Sequence, residues 1–166
     1  YSHNWGWATW RNRWQKFDFD LNNLRDFEKS DRIYNISNRP EVRTFWIYAL
    51  QANKNTNRKV DIWDQQWLFS IWDSNGVSII PNENLVSNIG DGKDATHNFN
   101  NSNHLINIPA VDIDFPLKHP KQIKINTIAD DFSFGIIWGG VLKKRYLMPV
   151  RGIKLVFKKI KHIIYR

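Results

Sequence analysis

Residues 61 to 97 constrain what this chain can fold into more than any other stretch, because they place a carboxylate between tryptophans and follow it with a long polar loop. Trp63 and Trp67 are spaced so that they fall on one face of a helix. Asp61 is a suitable N-cap for that helix. Asp64 then lies in the first turn, where the positive end of the helix dipole favours its ionised form.

The segment after this helix is predicted to change from buried to solvent-exposed. Gly76 is expected to end the helix, and residues 77–81 follow as a short, apolar, buried strand. Residues 82–96 then form a long loop with two glycines. Successive backbone N–H groups in such a loop can bind phosphate, and Ser87, Asn88 and Lys93 add further donors. A loop of this length without regular structure is usually functional.

The first 17 residues form a second aromatic region. Trp7, Trp10 and Trp14 have the spacing of one helical face, and Gly6 predicts a turn before them. Two interpretations stay open. Either Trp5 and Trp7 flank Gly6 in the wall of a ligand cleft, or the helix docks its tryptophans into the core. The nine Trp, ten Phe and five Tyr exceed what a small core needs, and sugar rings stack well on such faces.

The other predicted elements are structural. A helix is expected from Pro40 to about Ala52. Its buried face is predicted to consist of Val42, Phe45, Trp46 and either Ala49 or Leu50. Residues 111–115 alternate apolar and acidic side chains, which predicts an edge strand whose aspartates face solvent rather than a metal. A last helix is predicted from residue 122 or 126 to Trp138, with Gly139 and the next glycine ending it.

Positive charge is concentrated at the C-terminus. Nine of the 24 basic residues lie in residues 141–166, which contain no acid, and the net charge of the chain is +8. In residues 149–166 the apolar side chains keep helical spacing, which predicts a basic amphipathic helix. Two interpretations stay open: an anchor on an anionic membrane surface, or a terminal helix packed on its own domain. A nucleic-acid partner is not expected, because such domains spread basic residues over a folded face.

The composition excludes several classes of protein. The absence of cysteine excludes a disulfide scaffold, a cysteine-ligated zinc and thiol catalysis. No apolar run reaches the roughly 18 residues that a transmembrane helix needs. At 42% hydrophobic and 24% charged residues, the 166-residue chain is typical of one globular domain with a core.

Three motifs carry a resemblance to a known family. They are Trp5–Arg11 (WGWATWR), 84–97 (beginning NLVSNIG and ending DATH) and 115–120 (FPLKHP). In these motifs the chain resembles a bacterial family of nucleotide-diphospho-sugar transferases with the GT-A fold. The resemblance implies the α/β class. Residues 1–135 would be the C-terminal, acceptor-side portion of that fold, helix-rich with few short strands, and residues 136–166 a basic helical tail.

A more distant likeness is to the eukaryotic N-acetylglucosaminyltransferase I group, in which the first acid of a Trp-Asp-Asp-Trp segment is the catalytic base and a glycine-bearing loop closes over the sugar nucleotide. The segment Trp63–Trp67 (WDQQW) matches the tryptophans and the first acid, with one extra residue and glutamine for the second acid. The likeness implies Asp64 as the base. A late histidine often binds metal or diphosphate in such enzymes, so His97 is the candidate metal ligand; alternatively it caps the loop.

Together the two resemblances imply a set of substrate-binding residues. These are Trp5, Gly6, Trp7, Arg11, Trp63, Trp67, Ser87, Asn88 and Gly90. The implied reaction transfers a sugar from a nucleotide-diphosphate donor to a hydroxyl of a glycan or lipid-linked acceptor, in bacterial surface polysaccharide synthesis. An inverting mechanism needs a base such as Asp64, whereas a retaining mechanism does not.

The family resemblance also bears on what lies outside this chain. The family's metal-binding Asp-x-Asp and its nucleotide-binding half precede the Trp-Gly-Trp motif. This chain is therefore expected to be the back part of a longer enzyme, with a divalent metal (Mn or Mg) held mostly by residues elsewhere. The enzyme is expected in the cytoplasm, peripheral on the inner face of the plasma membrane. The alternatives are a non-catalytic carbohydrate-binding module with a membrane-surface tail, and a membrane adaptor driven by the tail alone.

Overall fold

The computed structural model describes residues 1–55, 62–89 and 107–143, and the regular secondary structure within them is helical. In chain order the elements are α1 (Arg11–Trp14), α2 (Leu24–Glu28), a short 3-10 helix (Asp31–Asn35), α3 (Pro40–Asn55), α4 (Asp64–Asp73) and α5 (Thr127–Lys143). These described residues include no β-strand. The α/β GT-A fold therefore stays a prediction.

Helix α3 confirms its prediction and extends slightly further. Pro40 is the first residue, where its fixed φ suits the helix and its missing N–H costs nothing. Glu41 follows in the first turn, where a negative charge complements the helix dipole. The helix ends at Asn55 rather than near Ala52. The buried face is the predicted one, and it includes both of the alternatives at its end: Val42, Phe45, Trp46, Ala49 and Leu50.

Helix α4 ends in a Schellman motif. The N–H of Gly76 donates to the carbonyl of Ile71 at 2.8 Å, and the N–H of Asn75 donates to the carbonyl of Trp72 at 3.1 Å. Asn75 has a φ of 53° and supplies the left-handed residue of the motif. The predicted end of the helix is thus confirmed, although asparagine rather than Gly76 takes the unusual conformation.

The core lies between α2, α3, α4 and the first half of α5. Edge-on aromatic pairs join these helices, with ring centroids 5.3 Å apart for Phe27 and Phe69 and 5.2 Å apart for Phe45 and Phe134. Ser70 is a buried polar residue on α4. Its hydroxyl accepts a hydrogen bond from the Asp18 N–H at 2.9 Å and donates to the carbonyl of Gln66 at 2.9 Å, so its burial leaves no polar group of this side chain unpaired.

The predicted N-terminal tryptophan helix is wrong. Helix α1 has four residues and begins only at Arg11. Trp10 precedes it in an extended conformation (φ −81°, ψ 146°), so Trp7 and Trp10 are not on the helix. A spacing argument holds only while the backbone stays helical. As a result Trp10 is 71% exposed, whereas Trp7 is half-buried.

Two predicted strands and a predicted helix end are also wrong. Residues 77–81 and 111–115 have no regular secondary structure, and their side chains are exposed. An apolar run is buried as a strand only where a sheet covers it, and the described residues provide none. Helix α5 begins at Thr127 and continues past Gly139 to Lys143. A glycine in a helix interior costs about 1 kcal/mol relative to alanine, which weakens a helix without necessarily ending it.

Candidate functional site

A cluster of tryptophans joins the N-terminal segment to α4. The ring of Trp7 lies 5.1 Å from that of Trp63, 5.6 Å from that of Trp67 and 5.8 Å from that of Trp14, measured between centroids. Trp14 in turn lies 5.3 Å from Trp67. Two segments that the sequence marked separately as aromatic are therefore in direct contact. We call Trp7, Trp14, Trp63 and Trp67 the tryptophan cluster.

Local backbone geometry explains how the cluster forms. Trp63 is the N-cap residue of α4 and Trp67 lies one turn further, so their side chains project from the same side of the helix. On the other side of the contact, Gly6 has a φ of 62° and forms a turn between Trp5 and Trp7. A left-handed φ is readily available to glycine and costly for other residues. The turn directs Trp7 toward α4.

The carboxylate of Asp64 lies at the edge of this cluster. Asp64 is the first residue of α4, which confirms its predicted place in the first turn. Its side chain is half-buried. The Asn4 side-chain amide donates to Asp64 Oδ2 at 3.4 Å, which links the carboxylate to the segment before the Gly6 turn. The carboxylate is thus bound by a neutral amide donor at the N-terminal end of α4. Such a group can accept a proton from a bound hydroxyl.

The segment 84–88 packs against the Gly6 turn. A Cβ atom placed on Gly6 would lie 2.4 Å from Cγ2 of Val86, so the two residues are in close contact and a side chain at position 6 would collide. This is the beginning of the loop that the likeness to the N-acetylglucosaminyltransferase I group expects to close over a sugar nucleotide. Ser87 and Asn88 follow directly and are half-buried.

Backbone hydrogen bonds hold the same segment against residues 107–111. The N–H of Asn107 donates to the carbonyl of Asn88 at 3.0 Å, and the N–H of Val111 donates to the carbonyl of Asn84 at 2.9 Å. The Asn84 side chain adds a hydrogen bond to the carbonyl of Pro109 at 2.9 Å. These pairings run antiparallel. Both ends of the loop between them are therefore fixed beside the Gly6 turn.

The remaining predicted site residues are not members of the tryptophan cluster or lie outside the described residues. Trp5 is exposed beside the turn, and Arg11 is exposed at the first position of α1. The candidate donor contact Gly90 and the candidate metal ligand His97 lie outside the described residues. The predicted N-cap of α4 is wrong, because the helix begins at Asp64 and its N-cap is Trp63 rather than Asp61, without a side-chain cap hydrogen bond.

A glutamine between Asp64 and Trp67 faces the interior instead of the surface. Gln66 is 4% exposed, and its Oε1 has no hydrogen-bond partner among the described residues. A buried glutamine here does not offer a second carboxamide or acid next to Asp64.

Sequence patterns missed three residues of the site: Asn4, Trp14 as a member of the cluster, and Val86. Asn4 carries no local signal besides its position next to Trp5. The spacing of Trp14 predicts a helical face shared with Trp7 and Trp10, whereas in the structure Trp14 contacts Trp7 and also Trp67 on α4. Val86 lies in a segment read as polar loop, and its contact with Gly6 depends on the tertiary fold.

The described residues do not supply a metal site. Within residues 1–55, 62–89 and 107–143, no three His, Asp or Glu side chains come together as a metal would require. The divalent metal implied by the family resemblance is therefore not assigned to residues of this part of the chain, and no reaction step is derived through it.

We expect Gly6→Ala to lower the free energy of unfolding by about 1–3 kcal/mol, because it combines a left-handed φ with a collision against Val86. Val86→Ala in the same chain should recover part of that loss, since it removes the collision and leaves the backbone strain. The interaction energy from a double-mutant cycle in urea unfolding measures the contact.

The control for this cycle is Gly135→Ala on α5, where an added Cβ meets no atom within 4 Å. That substitution should stabilise the chain by up to about 1 kcal/mol, as expected for a helical glycine. If Gly6→Ala were as harmless as Gly135→Ala, the contact between the Gly6 turn and the segment 84–88 would be contradicted.

Comparison of the chain with protein-family models, with curated proteins and with solved structures finds no match.

Proposed function

We propose that this chain carries the acceptor side of a glycosyltransferase, with Asp64 as the general base. The observation that supports this most is the meeting of three separate segments at one place: the Gly6 turn, the start of α4 with Asp64, and the segment 84–88. Each of them was marked by a different sequence motif. A carboxylate beside aromatic rings suits a sugar acceptor, because ring faces bind sugar C–H surfaces and the carboxylate binds a hydroxyl.

In the proposed reaction Asp64 accepts the proton of the acceptor hydroxyl as that oxygen attacks the anomeric carbon of the donor sugar. The nucleotide diphosphate leaves from the opposite face, so the transfer inverts configuration. The loop that begins at 84–88 excludes water, which would otherwise compete with the acceptor. Charge on the leaving diphosphate is stabilised in this proposal by groups beyond the described residues.

The experiment that tests the proposal is a transfer assay on the full reading frame that contains this chain. The enzyme is incubated with a panel of nucleotide-diphospho-sugars and with lipid-linked and oligosaccharide acceptors, and released nucleotide is measured with and without acceptor. Acceptor-dependent release from one donor supports the proposal. The absence of release from every donor, by a folded protein that still binds glycans, contradicts it.

A second candidate function is a carbohydrate-binding module without catalysis. The observation that favours it is the exposure of aromatic rings beside the cluster, since Trp5, Trp10 and Trp14 all present surface to solvent. Such a module predicts glycan affinity that neither nucleotide nor Asp64→Asn alters. Tryptophan fluorescence titrations with glycans, in the presence and absence of nucleotide, distinguish it from the transferase.

The location of the protein is part of the same proposal. None of the helices in the described ranges has the length and apolar character needed to cross a bilayer. We propose a cytoplasmic enzyme that binds the inner face of the plasma membrane peripherally, through the basic residues of 149–166.

Deletion of residues 149–166 tests this anchor. The segment contributes six of the nine cations found between 141 and 166, and each cation near an anionic surface contributes about 1 kcal/mol. We expect the shortened chain to lose most of its binding to anionic liposomes in a sedimentation assay. Unchanged binding would contradict the anchor.

A further inference from the structure

Helix α5 turns its acidic side chains toward the protein. Asp130 accepts a hydrogen bond from the main-chain nitrogen of Tyr1, and Asp131 lies 3.4 Å from the guanidinium of Arg39. Phe134 on the same side is buried, with its ring 5.2 Å from that of Phe45. Both acidic side chains of the helix are therefore used in contacts within the fold.

The opposite side of α5 is apolar and exposed. Ile128 is 82% exposed and Phe132 is 68% exposed, and these residues lie one turn apart with Ile136 one turn further. A Cβ placed on Gly135, between them and on the same side, meets nothing within 4 Å. We call Ile128, Phe132 and Ile136 the outer face of α5. A helix on a water-facing surface normally has the reverse arrangement, with charges outward and apolar residues inward.

The residues that follow indicate what covers this face. Asp131 is the last acidic residue in the chain, and between it and Lys143 there is no charged residue at all. From Lys143 onward there are nine cations and no acid. An apolar helical face that continues directly into an exclusively cationic segment complements an anionic lipid surface, which offers apolar chains and negative headgroups together. A protein partner would instead need an apolar patch for the helix and a separate acidic patch for the cationic segment.

We propose that the outer face of α5 lies in the interfacial layer of an anionic membrane. A single apolar or single electrostatic signal gives only marginal membrane binding, whereas two together give stable attachment. This inference extends the membrane part of the proposed function from the tail to the folded domain. It is independent of the transfer reaction, because it involves no residue of the tryptophan cluster.

Insertion of the helix is tested with a fluorescent label. The chain contains no cysteine, so Gly135→Cys gives a single site for an environment-sensitive dye. The full chain is mixed with phosphatidylcholine vesicles that contain or lack phosphatidylglycerol. We expect a blue shift and a rise in intensity only with the anionic vesicles. The matched control is Ile79→Cys, at a residue that is 78% exposed but far along the chain from α5, and it should not respond.

The contribution of the outer face to affinity is tested with Ile128→Ser combined with Phe132→Ser, against Ile79→Ser as the control. The double variant should bind anionic vesicles about tenfold or more weakly, because it removes two apolar side chains from the interface. Circular dichroism of the double variant and of the control is measured first, and both spectra should match that of the wild type.

Three results would overturn the inference. The first is undiminished binding by the double variant, even if deletion of 149–166 abolishes binding; the tail would then act alone. The second is a labelled Gly135→Cys protein that sediments with vesicles without any spectral change. The third is a wild-type dimer in sedimentation equilibrium without lipid that the double variant converts to a monomer, since a second copy would then cover the face.

Discussion

The Asp64→Asn substitution is expected to lower the turnover number of the full-length enzyme by about 10²- to 10⁴-fold, the usual contribution of a general base. Asparagine keeps the size of the side chain and can still hydrogen-bond to Asn4, which lies 3.4 Å away, but it cannot take the proton of an acceptor hydroxyl. Donor binding should stay nearly unchanged, because Asp64 contacts the acceptor in this mechanism. Turnover is measured with saturating donor and acceptor, and donor affinity by calorimetry.

The matched control is Asp26→Asn, the same chemical change in the first turn of α2 at an exposed position. Like Asp64, Asp26 lies near the positive end of a helix dipole, so any general effect of removing such a charge is shared by both variants. Turnover of Asp26→Asn should equal that of the wild type. Near-normal turnover of Asp64→Asn would remove Asp64 as the base, and equal losses in both variants would point to stability instead of chemistry.

Local signals in the sequence account for the helices that were predicted well. Pro40 followed by Glu41 specifies a start for α3, and the 3.6-residue period of its apolar residues specifies its buried face. The end of α4 is equally local, since Asn75 and Gly76 complete a Schellman motif with carbonyls of the same helix. In each case the residues that decide the conformation lie within one turn of it.

The failures have the opposite character. Residues 77–81 and 111–115 have apolar or alternating patterns that predict strands, but a strand needs a partner, and a sequence pattern does not supply one. The spacing of Trp7, Trp10 and Trp14 suggested a helix that the extended backbone at Trp10 interrupts. Gly139 predicts the end of a helix, but α5 continues through it to Lys143. Neighbouring residues that favour helix can offset the free-energy cost of a glycine.

The candidate site was predictable only in part. The place of Asp64 at the start of α4, with Trp63 and Trp67 on one side of that helix, follows from spacing alone. The contact between Asn4 and Asp64 spans 60 positions in the chain. It depends on how the whole domain packs, as does the packing of Val86 on Gly6. Motifs mark segments that meet in the structure, and tertiary packing decides which of their residues are in contact.

Packing of α4 on the core is what holds the site together, and Phe69→Ala tests it. Phe69 is fully buried on α4, and its ring lies edge-on to that of Phe27 at 5.3 Å. We expect the substitution to lower the free energy of unfolding by about 3–5 kcal/mol, through lost apolar burial and the cavity that remains. Urea unfolding of this chain, followed by far-ultraviolet circular dichroism, measures the change.

The same substitution at Phe132 shows how much of the loss of stability comes from burial of the ring and how much from removing a phenylalanine as such. Phe132→Ala removes an identical group from an exposed position on α5, so it should change the free energy of unfolding by only about 0.5 kcal/mol. Phe69 and Trp67 lie on the same helix, although their rings face different clusters. Because loss of packing at Phe69 should displace α4, it should also loosen the contact of Trp67 with Trp7. A shift in tryptophan emission at denaturant concentrations below the main transition would report it. Equal destabilisation by the two substitutions would contradict the assignment of Phe69 to the core, and with it the support that α4 gives to Asp64.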